Sequence, residues 1–342
     1  MQVKLLEERL RRINEQLPSL KSIDAFNQGD AVSLQNQELL EVSSQWLAIR
    51  PDGDRQPLIT LTSKYIAGII YDTISKNNAE RFWEYFNRFW SVKQSRASAG
   101  WMWESRVISE ELGRAGNAAI PLERLSIIGD HSDPPSAKRQ RSVPNQICLP
   151  FSHTFDYGNE ASLADALVRF TDIPQKAALF LPGSRNQATF DAFSISEDWV
   201  ITLFQPTISQ THSIKVSGLE FIWDALTEAK KFVKGQAAGM IQGLYPTEKK
   251  NWRLVFCVPQ RVKTDWNHCQ AINYKGKQRK HQWENYIEQF VVAFKDTPGN
   301  SNSHYAKQDQ LNLGFQNHKL WIEANQILLL LSILYIMSGK KN

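Results

Sequence analysis

Cysteine is scarce in this chain of 342 residues: there are three, Cys148, Cys257 and Cys269, odd in number and far apart. Such usage fits buried, reduced thiols in an intracellular compartment better than a disulfide framework. No zinc-ligand spacing is present. The phosphate-cradling patterns G-x-x-x-x-G-K-[ST] and G-x-G-x-x-G are missing, and so is the G-x-S-x-G nucleophile elbow. P-loop, dinucleotide-binding and α/β-hydrolase chemistry therefore have no support in the sequence. The histidines, among them His131, His153, His212, His268 and His281, are too dispersed to form a metal box. There is no internal repeat. The most apolar run, Ile327–Met337, is shorter than the ~20 residues a spanning helix needs, and it reads as a docked C-terminal helix or an aberrant tail rather than an anchor. The N-terminus is charged and lacks an apolar signal core, so a protein with neither signal peptide nor membrane anchor is expected.

What is present describes an ordinary soluble globular protein: 42% hydrophobic and 22% charged residues. A net charge of +5 and a pI near 9.0 mildly favour an acidic partner. The length allows one large or two modest domains. The pattern suggests an N-terminal helical or linker segment at 1–54, a main domain at 55–296, and a tail at 297–342 with a short apolar helix.

Along the chain, Val3, Leu6, Leu10, Ile13 and Leu17 recur at helical spacing up to Pro18. Two amphipathic helices are expected at 61–75 and 78–90. A third, at 96–115, puts Trp101, Glu104, Val107, Ile108 and Leu112 on one face. Glu104 thus points where apolar residues point, and a buried carboxylate needs an ion pair, hydrogen bonds or a metal. Strands are expected at 118–128, 146–151 and 253–258, helices at 216–234 and 283–294, and either state at 162–170.

The centre of the pattern is Leu181–Ile214. Residues 189–195 and 199–208 alternate and are rich in Phe, Ile, Val, Trp and Thr, with Ser196, Glu197 and Asp198 supplying turn chemistry. They read as a β-hairpin. A three-residue loop puts Asp191 opposite Leu203 and diagonal to Gln205, close enough for both oxygens to reach one cation. A one-residue slip would carry Asp191 to the other face. The whole reads as an α/β (α+β) fold with a mixed central β-sheet flanked by helices.

Basic residues concentrate later: Lys249, Lys250, Arg253, Arg261, Lys263, Lys275, Lys277, Arg279 and Lys280, with Trp252, Trp266, Tyr274 and Trp283 interleaved. Such a stretch can follow a phosphate backbone while its aromatics stack on unpaired bases, and it can equally be a solvated loop. Lys138, Arg139 and Arg141 form a smaller run of the nuclear-localisation kind.

These residues together carry a resemblance. A helix with GWMWE ending at Glu104 precedes a strand bearing Asp191 in the pattern Asp-x-Phe. LFQPTIS with Gln205 and Thr207 follows, then THSIK, then RLVFCVP and a closing helix YIEQFVVAF. Over roughly residues 55–296 this order resembles the nuclease-like C-terminal domain of Crinkler and retrotransposon-hot-spot-like effectors, with a restriction-endonuclease-like core of the PD-(D/E)XK superfamily. The resemblance implies a Mg²⁺-dependent (or Mn²⁺-dependent) deoxyribonuclease. In it Asp191 is the central metal ligand, Glu104 an outer ligand or helper carboxylate, and Gln205 a neutral carbonyl ligand where a second acid usually stands. Thr207 occupies the usual lysine position. Lys215 then stands in as the cation near the attacked phosphate, and His212 contacts phosphate or supports that lysine. The implied partners are DNA and host nuclear proteins, with no membrane, and the implied location is intracellular, in a host nucleus. Two other readings remain open: a catalytically inactive module that binds nucleic acid or a host protein, and a structural domain whose N-terminal helix joins a larger assembly.

Overall fold

The run RLVFCV is apolar at every second position and at the positions between, which suits only a strand covered on both faces. In the computed structural model it lies in the interior of the main sheet, with neighbours on either side. The structure describes residues 47–50, 58–61, 64, 67–68, 71, 79–91, 93–113, 119–126, 146–148, 151–173, 176–183, 188–247, 250–274 and 281–297. The expected N-terminal helix, the basic run at 138–141 and the apolar segment at 327–337 lie outside these residues. Those described fall within one unit, Trp46–Thr297.

In chain order the elements are β1 (Leu47–Arg50), β2 (Leu58–Leu61), α1 (Ala79–Ser91), α2 (Arg96–Arg106), β3 (Ala119–Pro121), β4 (Glu123–Arg124), β5 (Gln146–Cys148), β6 (His153–Tyr157), α3 (Glu160–Thr171) and β7 (Ala178–Pro182). They continue with β8 (Ala192–Ile195), β9 (Ile201–Pro206), β10 (Ile214–Lys215), α4 (Val216–Phe232), α5 (Gly235–Gly243), β11 (Trp252–Pro259), β12 (Ile272–Asn273) and β13 (Ile287–Phe294). A π-helical turn, Val107–Leu112, continues α2.

The main sheet is seven-stranded, in the order β4-β13-β11-β9-β8-β7-β6. β7, β8 and β9 run antiparallel as a meander. α4 and α5 carry the chain over to β11, which lies parallel to β9 and to β13. The mixed sheet flanked by helices is as the sequence pattern implies. α3 and α4 pack on each other and on one face of the sheet, around Phe155, Phe170, Phe180, Phe193, Leu203 and Phe256. α1 packs on α2 through Phe86 against Trp103, with Phe82 and Trp83 beside them. Among the described residues, no helix is long and apolar enough to cross a membrane.

Three sequence expectations change. Of the closing helix expected at 283–294, Trp283–Asn285 form a short 3-10 turn and Ile287–Phe294 are instead the strand β13, paired in parallel with β11 from Trp252↔Ile287 to Pro259↔Phe294. Trp283, Ile287, Phe290, Val291 and Phe294 mimic helical spacing because a strand covered on both faces has apolar residues at odd and even positions alike. The closing element of the resemblance, YIEQFVVAF, is therefore extended. The ambiguous stretch at 162–170 belongs to α3, started by a capping box in which the Asn159 side chain accepts from Ser162 N–H and the Ser162 hydroxyl oxygen accepts from Asn159 N–H. The strand expected at 118–128 is reduced to the short β3 and β4.

Candidate active site

Asp191 owes its position to two local devices. The first is the β8–β9 turn, which is longer than expected. Ser196 N–H donates to Val200 O (3.1 Å), Trp199 N–H to Ser196 O (2.9 Å), and Trp199 takes a left-handed φ of 62°. Ile195 consequently pairs with Ile201, and Phe193, not Asp191, stands opposite Leu203. The register moves by two residues from the expected one, which preserves the face and carries Asp191 opposite Gln205 rather than diagonal to it. Asp191 N–H donates to Phe204 O (2.8 Å) at the point where the ladder ends.

The second device is the approach of α4. Thr189 adopts φ 81°, and its hydroxyl accepts from Lys215 N–H (3.0 Å) and donates to Lys215 O. Gly218, in the first turn of α4, lies so close that a Cβ there would come 1.9 Å from Ala188 O. Only glycine permits that contact.

Pro206 is accommodated for a related reason. N–H groups alternate sides along a strand, and that of Thr207 points to β11, donating to Cys257 O (3.0 Å). The nitrogen of Pro206 therefore faces the β8 side, where the pairing has already ended at Ala192↔Phe204.

Glu104 arrives on α2, which is anchored to the same strand end. Trp103 Nε1–H donates to Cys257 O (2.9 Å). Arg106 lies between the Trp83 and Trp103 rings, 5.0 and 5.3 Å from their centroids, and pairs with Glu111 Oε1 at 2.7 Å. The π-helical turn that follows brings Glu111 back to Arg106, and this ion pair holds the end of the helix that presents Glu104.

The three acidic and amide groups expected at the site do meet, at the carboxyl end of β9. Glu104, Asp191 and Gln205 are 8%, 7% and 7% exposed. Gln205 Nε2–H donates to Asp191 Oδ2 (2.7 Å) and to Pro206 O (3.2 Å). Gln205 thus presents its NH₂ to the aspartate, whereas the resemblance implies a carbonyl ligand. Among the described residues, Lys64 bridges the carboxylates: its Nζ lies 2.5 Å from Glu104 Oε1 and 2.7 Å from Asp191 Oδ1. Burial pulls the Lys64 ammonium down, but Asp191 and Glu104 together outweigh it and raise its pKa above the ordinary lysine value.

Lys215, the cation expected at the site, is exposed and ends β10 just ahead of α4, joined to the Asp191 loop through Thr189. His212 is half-buried, beside Phe256, and close enough for the charges of Asp191 and Lys215 to act on it. Burial, with Lys215 adding to it, lowers its pKa below the ordinary imidazole value, and Asp191 opposes them. Thr207 is buried and accepts from Ser209 N–H (3.2 Å). The buried Tyr157 phenol, raised by burial and by Asp191, adds a hydroxyl that has no partner among the described residues.

Lys64 escaped the sequence reading, although a signal for it existed. Ala67, Gly68 and Tyr71 follow it at helical spacing and are buried, so Lys64 lies on an apolar face, as Glu104 does on its own helix.

The donor set fits a hard divalent ion. Glu104 and Asp191 each have an oxygen within reach of a single small cation, as the Lys64 ammonium demonstrates. Mg²⁺ is commonly held by one or two carboxylates, with water and substrate phosphate completing its shell. Among the described residues no group of three or more His, Cys, Asp or Glu could hold a metal, and Gln205 turns its NH₂, not its oxygen, to Asp191.

Three cations of the basic stretch are engaged internally. Arg261 pairs with Asp296 and lies over Phe86 and Trp90, Lys263 pairs with Glu123, and Lys250 donates to Gly243 O (2.7 Å). Trp252, Trp266 and Trp283 are buried in the core, so they cannot stack on bases as the sequence suggested. Lys249, Lys275, Lys277, Arg279 and Lys280 lie outside the described residues.

No protein-family model matches the chain, no curated protein matches it in sequence, and no solved structure matches it in fold. The functional reading therefore rests on the geometry of this site.

Proposed function

We propose that this protein is a metal-dependent nuclease-like domain acting on DNA phosphodiesters, with a restriction-endonuclease-like core. The observation that carries the reading is the meeting of Glu104, Asp191 and Gln205, from one helix and two neighbouring strands, at one buried strand end. The order of elements also supports it: an acid-bearing helix, a meander with the second acid beside its middle strand, and a parallel strand added through a helical crossover.

In this reading Asp191 and Glu104 hold Mg²⁺ or Mn²⁺, and Gln205 completes the protein ligands. An ion held by these residues would polarise the phosphate and lower the pKa of an attacking water. The water oxygen bonds to phosphorus, the bridging P–O bond breaks, and the leaving oxygen takes up a proton. Lys64, in contact with both carboxylates, is placed to meet the charge that develops on the phosphoryl oxygens. Lys215 and His212, on the turn beside Asp191, offer contacts to a flanking phosphate.

Incubating the protein with linear and supercoiled DNA tests this. Cleavage that needs Mg²⁺ or Mn²⁺, stops with chelator and vanishes in Asp191→Asn supports the reading. Cleavage unchanged in that variant refutes it.

A second reading, a catalytically silent module that binds nucleic acid or a protein, draws on a specific observation. Lys64 already neutralises part of the carboxylate pair, and Thr207 stands where the superfamily pattern carries lysine. DNA binding without metal binding at millimolar Mn²⁺ would favour it.

A further inference from the structure

Two buried carboxylates and one ammonium share the strand-end site. The Lys64 ammonium bridges the two carboxylates, touching one oxygen of each. A divalent ion would neutralise both carboxylates in full. Its seat, however, is where the ammonium now sits, because Lys64 Nζ is within 2.7 Å of both the Asp191 Oδ1 and the Glu104 Oε1 that a cation would use. Two cations cannot share those oxygens at such range without strong mutual repulsion in a buried site. Gln205 is arranged to match: with the ammonium in place, its NH₂ rather than its carbonyl faces Asp191.

We infer that Lys64 is the built-in counter-ion of the Glu104–Asp191 pair, competing with a divalent cation for one seat and displaced from it when the metal binds. This rests on the metal reading above and deepens it. The displaced ammonium keeps its tether beside the site, and a substrate phosphate is the anion that can receive it there. Lys64 thus holds the two carboxylates against mutual repulsion and serves as a phosphate contact once an ion binds. The amide of Gln205 turns in the same exchange, giving up its hydrogen bond to Asp191 and offering Oε1.

The test is Mn²⁺ binding by titration calorimetry on the full chain, as wild type and as Lys64→Gln, Lys64→Arg and Asp191→Asn. Removing the competing charge in Lys64→Gln is expected to tighten Mn²⁺ binding by about tenfold or more, since a like charge within a few ångströms is lost. Lys64→Arg keeps the charge and is expected to stay near wild type, and Asp191→Asn is expected to lose binding. In the wild type, Mn²⁺ is expected to increase labelling of Lys64 by an amine reagent, read by peptide mass spectrometry. That measurement holds even should Lys64→Gln fold poorly.

Equal or weaker Mn²⁺ binding by a folded Lys64→Gln, or Lys64 labelling unchanged by Mn²⁺ that does bind, overturns the competition while leaving the metal site standing. Absence of Mn²⁺ binding in wild type and Lys64→Gln alike overturns both.

Discussion

Asp191 is the residue on which stability and chemistry can be separated most cleanly. One of its oxygens accepts from Lys64 Nζ and the other from Gln205 Nε2, each at 2.7 Å. Asp191→Ala removes both acceptors. Lys64 keeps Glu104 at 2.5 Å, and Gln205 keeps Pro206 O at 3.2 Å, so neither partner is stranded completely. The loss should therefore approach that of one charged hydrogen bond, about 1.5–3 kcal/mol, rather than the ~3–5 kcal/mol of a fully broken buried pair. For a unit of this size that is a drop of roughly 5–10 °C in Tm. Asp191→Asn keeps the shape, offers its oxygen to Lys64 and can meet a rotated Gln205 amide, so it should lower Tm by no more than about 3 °C. Both variants lose the carboxylate charge, and metal-dependent cleavage should fall by about a hundredfold or more in each. Calorimetric melting together with a plasmid-nicking assay reads both quantities. Cleavage near wild type in Asp191→Asn, or an Asp191→Ala protein that melts with the wild type, would show that this geometric account of the site is mistaken.

Other perturbations reach the site from a distance. Gly218→Ala places a methyl 1.9 Å from Ala188 O, against backbone that cannot rotate away; urea midpoints should report a loss of at least about 1–3 kcal/mol, and Mn²⁺ binding should weaken as the Asp191 loop moves. Trp103→Phe removes the indole donor to Cys257 O while leaving the donor from Thr207; the cost should be about 1 kcal/mol, with weaker Mn²⁺ binding if α2 swings Glu104 outward. His212 has a folded pKa below its ordinary 6.5, so the unfolded chain binds its proton more readily. That contribution to stability is complete above pH 6.5 and is lost as the pH falls through the folded value; urea unfolding from about pH 8 to 5 should show a shallower acid-side decline in His212→Gln.

How much was legible in the residues differs from one element to the next. The continuous apolar run of β11 could only be a strand covered on both faces, and it is one. The same property misled the reading of β13, since a strand with apolar residues on both faces also satisfies helical spacing. Glu104 was legible because a carboxylate on an apolar helix face demands a partner. Lys64 carried the mirror-image signal but lies 127 residues from Asp191, with nothing local to join them. The pairing of Asp191 with Gln205 survived a mistaken turn length because the error was an even number of residues.

By itself, then, the amino-acid order determined which side chains could not remain unpartnered and which segments would alternate or run apolar throughout, because those properties follow from local periodicity and from the cost of burying charge. Only the tertiary structure decided who meets whom. That Lys64 rather than Lys215 contacts the carboxylates, that Trp252, Trp266 and Trp283 fill the core, and that Arg261 and Lys263 are held by Asp296 and Glu123 all depend on strand order and helix packing. Such contacts join residues far apart in the chain, and no short-range pattern encodes them.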